Sequence, residues 1–202
     1  MAAYLDLRSV GAHAVRAKVG ETRSALALAS WARSARVPAV EIVPAATTVL
    51  FDGVADVAAV RDLLAMWPGD VDAATEGDLV EIPTVYDGPD LPEVAELWSM
   101  SVDDVVTRHG ATEFVAAFCG FAPGFSYLAG LPDELAVPRR ATPRTRCGAG
   151  AVALADTWCG IYPNDSPGGW QLIGRTDAAL WDAGRDAPAL LPPGTRVRFV
   201  PA

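Results

Sequence analysis

Phe114-Val115-Ala116-Ala117-Phe118-Cys119 runs directly into Gly120-Phe121-Ala122-Pro123-Gly124-Phe125-Ser126-Tyr127-Leu128, and then into Gly130-Leu131-Pro132. A short apolar run, a Gly/Pro cluster and a second short run predict two strands joined by a stiff loop. The same texture continues to the end of the chain. Ala151 to Ala155, Trp170 to Ile173 and Val197 to Val200 are short apolar runs set between Gly- and Pro-rich breaks. That pattern predicts a β-rich barrel or sandwich rather than a helical second half.

Upstream of Glu113 the texture is different. Ser101 and Asp104 stand at capping-box spacing before a helix that ends near His109 and Gly110. Tyr86-Asp87-Gly88-Pro89-Asp90-Leu91-Pro92 is turn-rich, and Asp90 is placed to cap a short helix with Pro92 in its first turn. Earlier still, His13 to Val19 alternates at strand period, and Ser24 to Ala35 reads as a helix. Ala39 to Val43 and Thr47 to Phe51 flank a Pro44 turn. Asp56 caps a helix carrying Val57, Val60, Leu63, Leu64 and Trp67. Leu79 to Val85 is a further strand. The order is β-α-β-β-α-β, the ferredoxin-like arrangement. The chain is therefore expected to be α+β, with a small α+β domain over 1–85 and a β-barrel domain over 86–202.

Composition narrows the function classes. Of 202 residues, 51% are hydrophobic and 20% charged, which suits a folded core rather than disorder. The formal net charge of -9 disfavours binding to a phosphate backbone, so no nucleic-acid partner is expected. Charges, Pro or Gly interrupt every apolar run, so no membrane span is expected, and the cytoplasm is the default location. The three cysteines, Cys119, Cys147 and Cys159, lack C-x-x-C spacing and read as free thiols. With His13 and His109 as the only histidines and no ligand spacing around them, no metal site is expected. There is no G-x-x-x-x-G-K-[ST] phosphate loop and no G-x-S-x-G nucleophile elbow. Gly148-Ala149-Gly150-Ala151-Val152-Ala153 matches a dinucleotide fingerprint in letters, but a β-like run follows it, so it reads as a turn.

What remains are four rigid loops with polar tips. They are the Cys119–Leu128 stretch with its Gly130-Leu131-Pro132 extension; Pro138-Arg139-Arg140 with Pro143-Arg144; Gly160-Ile161-Tyr162-Pro163; and Ser166-Pro167-Gly168-Gly169-Trp170-Gln171-Leu172-Ile173-Gly174-Arg175-Thr176. Pro and Gly fix such loops, so little entropy is lost when they hold a ligand. Phe121, Phe125, Tyr127, Tyr162 and Trp170 supply apolar walls. Arg139, Arg140, Arg144 and Arg146 fall within eight residues of an acidic chain and offer guanidinium forks for an anion.

These phrases resemble the KipI family, also called allophanate hydrolase subunit 1 or the B-type subunit of 5-oxoprolinase. The closing Leu191-Pro192-Pro193-Gly194-Thr195-Arg196-Val197-Arg198-Phe199 is similar to the family's ending, as are the joint at 86–91 and the helix ending in Arg108-His109. Two phrases depart from the family. Arg146-Cys147-Gly148-Ala149-Gly150-Ala151-Val152 lacks the usual Pro and Ser, and Pro44-Ala45-Ala46-Thr47-Thr48-Val49-Leu50 lacks a usual Tyr-Arg. The resemblance implies a cyclophilin-like β-barrel in the C-terminal half. It also implies a KipA-like subunit 2 as partner in a heterotetramer, a small amide or ureido substrate such as 5-oxoproline or allophanate, and hydrolysis of a C–N bond. ATP would act through the complex, with no cofactor bound covalently and no activity expected of the chain alone. A biotin-dependent, urea-type carboxyltransferase module and a non-catalytic inhibitor of a histidine kinase are the alternatives.

Candidate residues follow from the loops. Arg139, Arg140, Arg144, Gln171, Arg175 and Phe125 are expected to bind substrate; the arginines could equally face a partner or solvent. No catalytic residue is singled out. His109 is a candidate base or a helix C-terminal cation. Tyr127 and Tyr162 are candidate acids or wall residues, and Ser166 is a candidate nucleophile or a turn residue.

Overall fold

The computed structural model describes residues 5–69 and 77–202. The chain divides into two compact units, 1–77 and 78–202.

The first unit holds strands β1 (Asp6–Val10) and β2 (Ala14–Lys18), helix α1 (Thr22–Ser34), strands β3 (Glu41–Pro44) and β4 (Thr48–Asp52), and helix α2 (Val57–Leu64). The four strands form one antiparallel sheet in the order β1-β2-β4-β3. Val15 and Ala17 of β2 lie opposite Phe51 and Val49 of β4, all four fully buried. Period-two alternation puts these residues on one face. The helices cover that face. The buried stripe of α1 is small (Ser24, Ala25, Ala27, Leu28, Ala29, Ala32), so its backbone can approach the sheet closely. As its sequence predicts, α2 begins at Asp56, whose side chain accepts the Ala59 N–H at 3.0 Å.

Two features differ from the sequence expectation. β1 is an additional edge strand whose Asp6-Leu7-Arg8-Ser9-Val10 lacks clean alternation, because an edge strand need bury only part of one face. The strand expected to complete a β-α-β-β-α-β domain, β5 (Leu79–Thr84), lies in the second unit instead, so the described first unit reads β-β-α-β-β-α. β5 pairs in parallel with the final strand β13 (Arg196–Pro201), from Arg196↔Leu79 to Pro201↔Thr84. Alternation marks a strand but not its partner, and this partner lies at the far end of the chain.

After β5 come helices α3 (Leu91–Trp98) and α4 (Val102–Ala111). At the start of α4 the Ser101 hydroxyl accepts the Asp104 N–H at 3.1 Å. Then follow β6 (Phe114–Cys119), β7 (Ser126–Ala129), β8 (Arg144–Cys147), β9 (Ala151–Ala155), β10 (Trp158–Ile161), β11 (Ser166–Gly168) and β12 (Gln171–Arg175). Seven strands form a sheet in the order β12-β9-β10-β7-β6-β13-β5, and β8 and β11 form a separate ribbon.

The seven-stranded sheet curls until its edges meet. Just past β5, Val85 exchanges two main-chain hydrogen bonds of 2.9 Å with Arg175 of β12. The Gly88 and Asp90 N–H groups continue the seam to Ile173 O at 3.2 Å and Leu172 O at 3.0 Å. A side chain at Gly174 would stand 2.5 Å from the Val85 carbonyl, so only glycine lets the edges approach. The result is a nearly closed α+β barrel. Its interior is filled by Ile82, Phe114, Leu128, Leu154, Ile173 and Phe199, with Trp98 of α3 packed over it.

Candidate active site

The turn between β6 and β7 is short and tightly bonded. The Ala122 N–H reaches Gly120 O at 2.8 Å, and the Phe125 N–H reaches Ala122 O at 3.0 Å. Phe121, at the tip, has φ +70° and is 60% exposed. Backbone held in such a sparsely populated region costs a residue with a Cβ on the order of 1–3 kcal/mol. Phe125 points inward and is 2% exposed.

Three other segments meet this turn. Tyr162 follows β10 and is buried, with its ring 5.6 Å from that of Phe125. Trp170 stands between β11 and β12, 5.5 Å from Phe125 and 5.6 Å from Tyr127 in edge-to-face contact. Arg139 lies over the Trp170 ring at 5.8 Å, and the next residue, Arg140, anchors that segment through its N–H to Gly169 O at 2.8 Å. Together Phe121, Phe125, Tyr127, Arg139, Tyr162 and Trp170, with Pro167-Gly168-Gly169, line an open pocket of about 110 Å³. All four loops singled out in the sequence contribute to it.

The arginine cluster is divided between structure and pocket. Asp90 is 3% exposed, and its Oδ1 accepts from Arg140 Nη1 at 2.9 Å and Arg144 Nη2 at 2.6 Å. Its Oδ2 accepts the Leu172 N–H at 2.6 Å. Asp90 does sit at the N-cap of α3, but its carboxylate is spent on these partners rather than on the helix. Arg140 and Arg144 are therefore internal struts, not open forks. Arg146 pairs with Asp165, and Arg175 pairs with Asp87 at 2.9 Å. Among the described residues Arg139 has no carboxylate partner, which leaves its charge available to the pocket. Gln171 is 1% exposed; its Nε2 donates to Glu93 Oε1 and to Pro138 O, both at 3.3 Å, so it supports the residue before Arg139 from below.

The catalytic candidates separate in the same way. His109 is fully buried against Phe114 and Phe199, and burial holds its pKa down at about 3. Its Nδ1 meets the Tyr86 hydroxyl at 2.8 Å and its Nε2 meets the Cys159 sulfur at 3.4 Å. It is neither the base nor the helix C-terminal cation that the sequence allowed. A neutral imidazole bonded at both nitrogens fills the barrel instead. Ser166 is bonded to Asn164 O at 3.3 Å on β11 with no histidine beside it. Burial raises the pKa of the Tyr162 hydroxyl, helped by its neighbour Cys147, so it stays protonated as a pocket wall and hydrogen-bonding group. Tyr127 is a wall residue stacked at 4.3 Å on Phe118. Among the described residues no group of three or more His, Cys, Asp or Glu is placed to hold a metal ion.

Asp90 and Glu93 are carboxylates that support the pocket loops from behind, and the sequence did not mark them for that. Asp90's only signal was a position that also suits a helix cap, and nothing local connects it to arginines fifty residues later.

Comparison with known proteins places this geometry among relatives. Residues 5–191 match the carboxyltransferase domain, subdomain C and D. The chain is 46% identical over 146 residues to the B-type subunit of 5-oxoprolinase from Escherichia coli O157:H7, covering 71% of this chain and 67% of that protein. It is 44% identical over 125 residues to the corresponding 5-oxoprolinase subunit of Bacillus subtilis strain 168, covering 60% of this chain and 52% of that protein. The crystal structure of TTHA0988 superposes with a TM-score of 0.79 at 37% identity, covering 94% of this chain and 40% of that one. The match thus spans between about half and two thirds of the curated relatives, and less of the solved chain.

Proposed function

This chain belongs to the carboxyltransferase subdomain C and D family, in its 5-oxoprolinase branch, and on that premise we propose that it is one subunit of a complex that opens 5-oxoproline by hydrolysis of its amide C–N bond. The observation that carries the reading is the convergence of four stiff loops on a small aromatic pocket, with the guanidinium of Arg139 at its wall.

Each part of the pocket has a task. Arg139 holds the substrate carboxylate through a charge-assisted hydrogen bond. The rings of Phe125, Tyr127, Tyr162 and Trp170 cover the apolar CH₂ face of the lactam and exclude water. Allophanate also carries a carboxylate, but it is flat and polar on both faces, so the aromatic walls favour 5-oxoproline. The volume argues for a second chain. Sites that enclose a ligand unaided usually span roughly 300–1,000 Å³, and about 110 Å³ makes one wall of such a site. A KipA-like second subunit, paired in a heterotetramer, supplies the rest, and neither chain is active alone. ATP bound in the complex supplies the driving force for opening the lactam. Free thiols at Cys119, Cys147 and Cys159 fit a reducing cytoplasm.

Co-expression with the second subunit, and with any third component encoded beside it, tests the reading. Glutamate should form from L-5-oxoproline and ATP with the assembled complex and not with this chain alone. An assembled complex that forms none removes the substrate class. A second reading, carboxyl transfer to a urea-type nitrogen, draws on the family's carboxyltransferase description; it requires a biotinylated protein among the co-purified partners.

A further inference from the structure

Phe121 holds a backbone conformation that a bulky residue rarely adopts. Its φ of +70° and the 2.8 Å hydrogen bond from the Ala122 N–H to Gly120 O close a strained γ-turn around it. Burial does not compensate for this, because the ring is 60% exposed. Its ring contacts are edge-to-face, with Phe125 at 5.3 Å and Tyr162 at 6.0 Å, and both partners are pocket walls. A glycine would fit this turn without strain, and glycines already stand at 120 and 124 in the same loop. Strain retained where the side chain is displayed points to use of the side chain.

We infer that Phe121 is a specificity-determining residue: the strained turn holds its ring as the outer wall of the pocket, where it covers the apolar face of a compact cyclic substrate. This rests on the reading of the pocket as the 5-oxoproline site. The turn trades stability for a contact that only a bound ligand completes.

Two variants of the assembled complex separate ring from strain. F121A removes the ring and keeps the strain; F121G removes both and suits the turn, so it folds even if F121A does not. KM for L-5-oxoproline should rise about three- to tenfold in both, the loss of an aromatic contact, with kcat nearly unchanged. F121G should melt about 2–4 °C above F121A. An unchanged KM in both overturns the inference, as does disassembly of the complex with normal KM in what remains assembled, which would make Phe121 a subunit contact. R139A serves as the control. Wild-type activity lost in R139A and kept in the Phe121 variants sinks the role of Phe121 alone, whereas a wild-type complex inert toward 5-oxoproline sinks the pocket reading and this inference together.

Discussion

Arg144 Nη2 lies 2.6 Å from Oδ1 of Asp90, 54 residues earlier in the chain. The same oxygen takes Arg140, and the other carboxylate oxygen takes the Leu172 N–H of β12. One buried carboxylate thus ties the β8–β11 ribbon to the barrel. Arg144 stands opposite Gly168 in that ribbon, and the Arg140 N–H bonds Gly169 O. The pocket wall from Pro167 to Trp170 therefore hangs on Asp90.

Removing Asp90 strands two half-buried guanidiniums. D90A should destabilise the chain by about 1.5–3 kcal/mol, the loss of charge-assisted hydrogen bonds to guanidiniums that water still reaches in part. The double variant D90A/R144M should regain part of that loss, because one orphaned charge is gone. Chemical denaturation of wild type, D90A, R144M and D90A/R144M checks this, and additive losses would show that the pair is not coupled.

His109 predicts a pH dependence. Its folded pKa is held near 3 against an ordinary 6.5. Between those values the unfolded chain binds a proton that the folded chain refuses, so stability rises with pH in that window. The contribution is complete above about pH 6.5 and is lost as pH falls toward 3. H109F, which suits the neighbouring Phe114 and Phe199 rings, should flatten the slope by up to about 1.4 kcal/mol per pH unit. Urea melts of both proteins from pH 4 to 7 measure the difference; parallel curves would mean that His109 takes up its proton in the fold as readily as in the unfolded chain.

Gly168 tests how tightly the pocket floor is packed. A Cβ there would run into the Tyr162 hydroxyl and stand 2.9 Å from the Cys147 sulfur. G168A should therefore lower the melting temperature and raise KM by displacing Tyr162. G148A, whose nearest neighbour would be Asp165 Oδ1 at 4.0 Å, should stay within about 0.5 kcal/mol of wild type. Equal effects would remove the argument for a crowded floor.

The sequence made the loops legible because Gly and Pro report local geometry directly. It also named the aromatic walls, since Phe121, Phe125, Tyr127, Tyr162 and Trp170 all line the pocket. Long-range pairing was hidden. The arginines at 139–146 looked alike in sequence, and only the fold assigns Arg140 and Arg144 to Asp90, Arg146 to Asp165, and leaves Arg139 over Trp170. β5 was legible as a strand and not as the neighbour of β13. His109 read as a base or a helix C-terminal cation because helical spacing does not show that its face turns into a barrel.

The most direct measurement is kcat/KM for L-5-oxoproline in complexes carrying R139A or R146A. Losing the hydrogen bond to the substrate carboxylate should cost R139A about 10- to 100-fold. R146A, which removes only the exposed pair with Asp165, should match wild type. An R139A complex that turns over 5-oxoproline at the wild-type rate, or an R146A complex impaired as deeply, would contradict the assignment of this pocket.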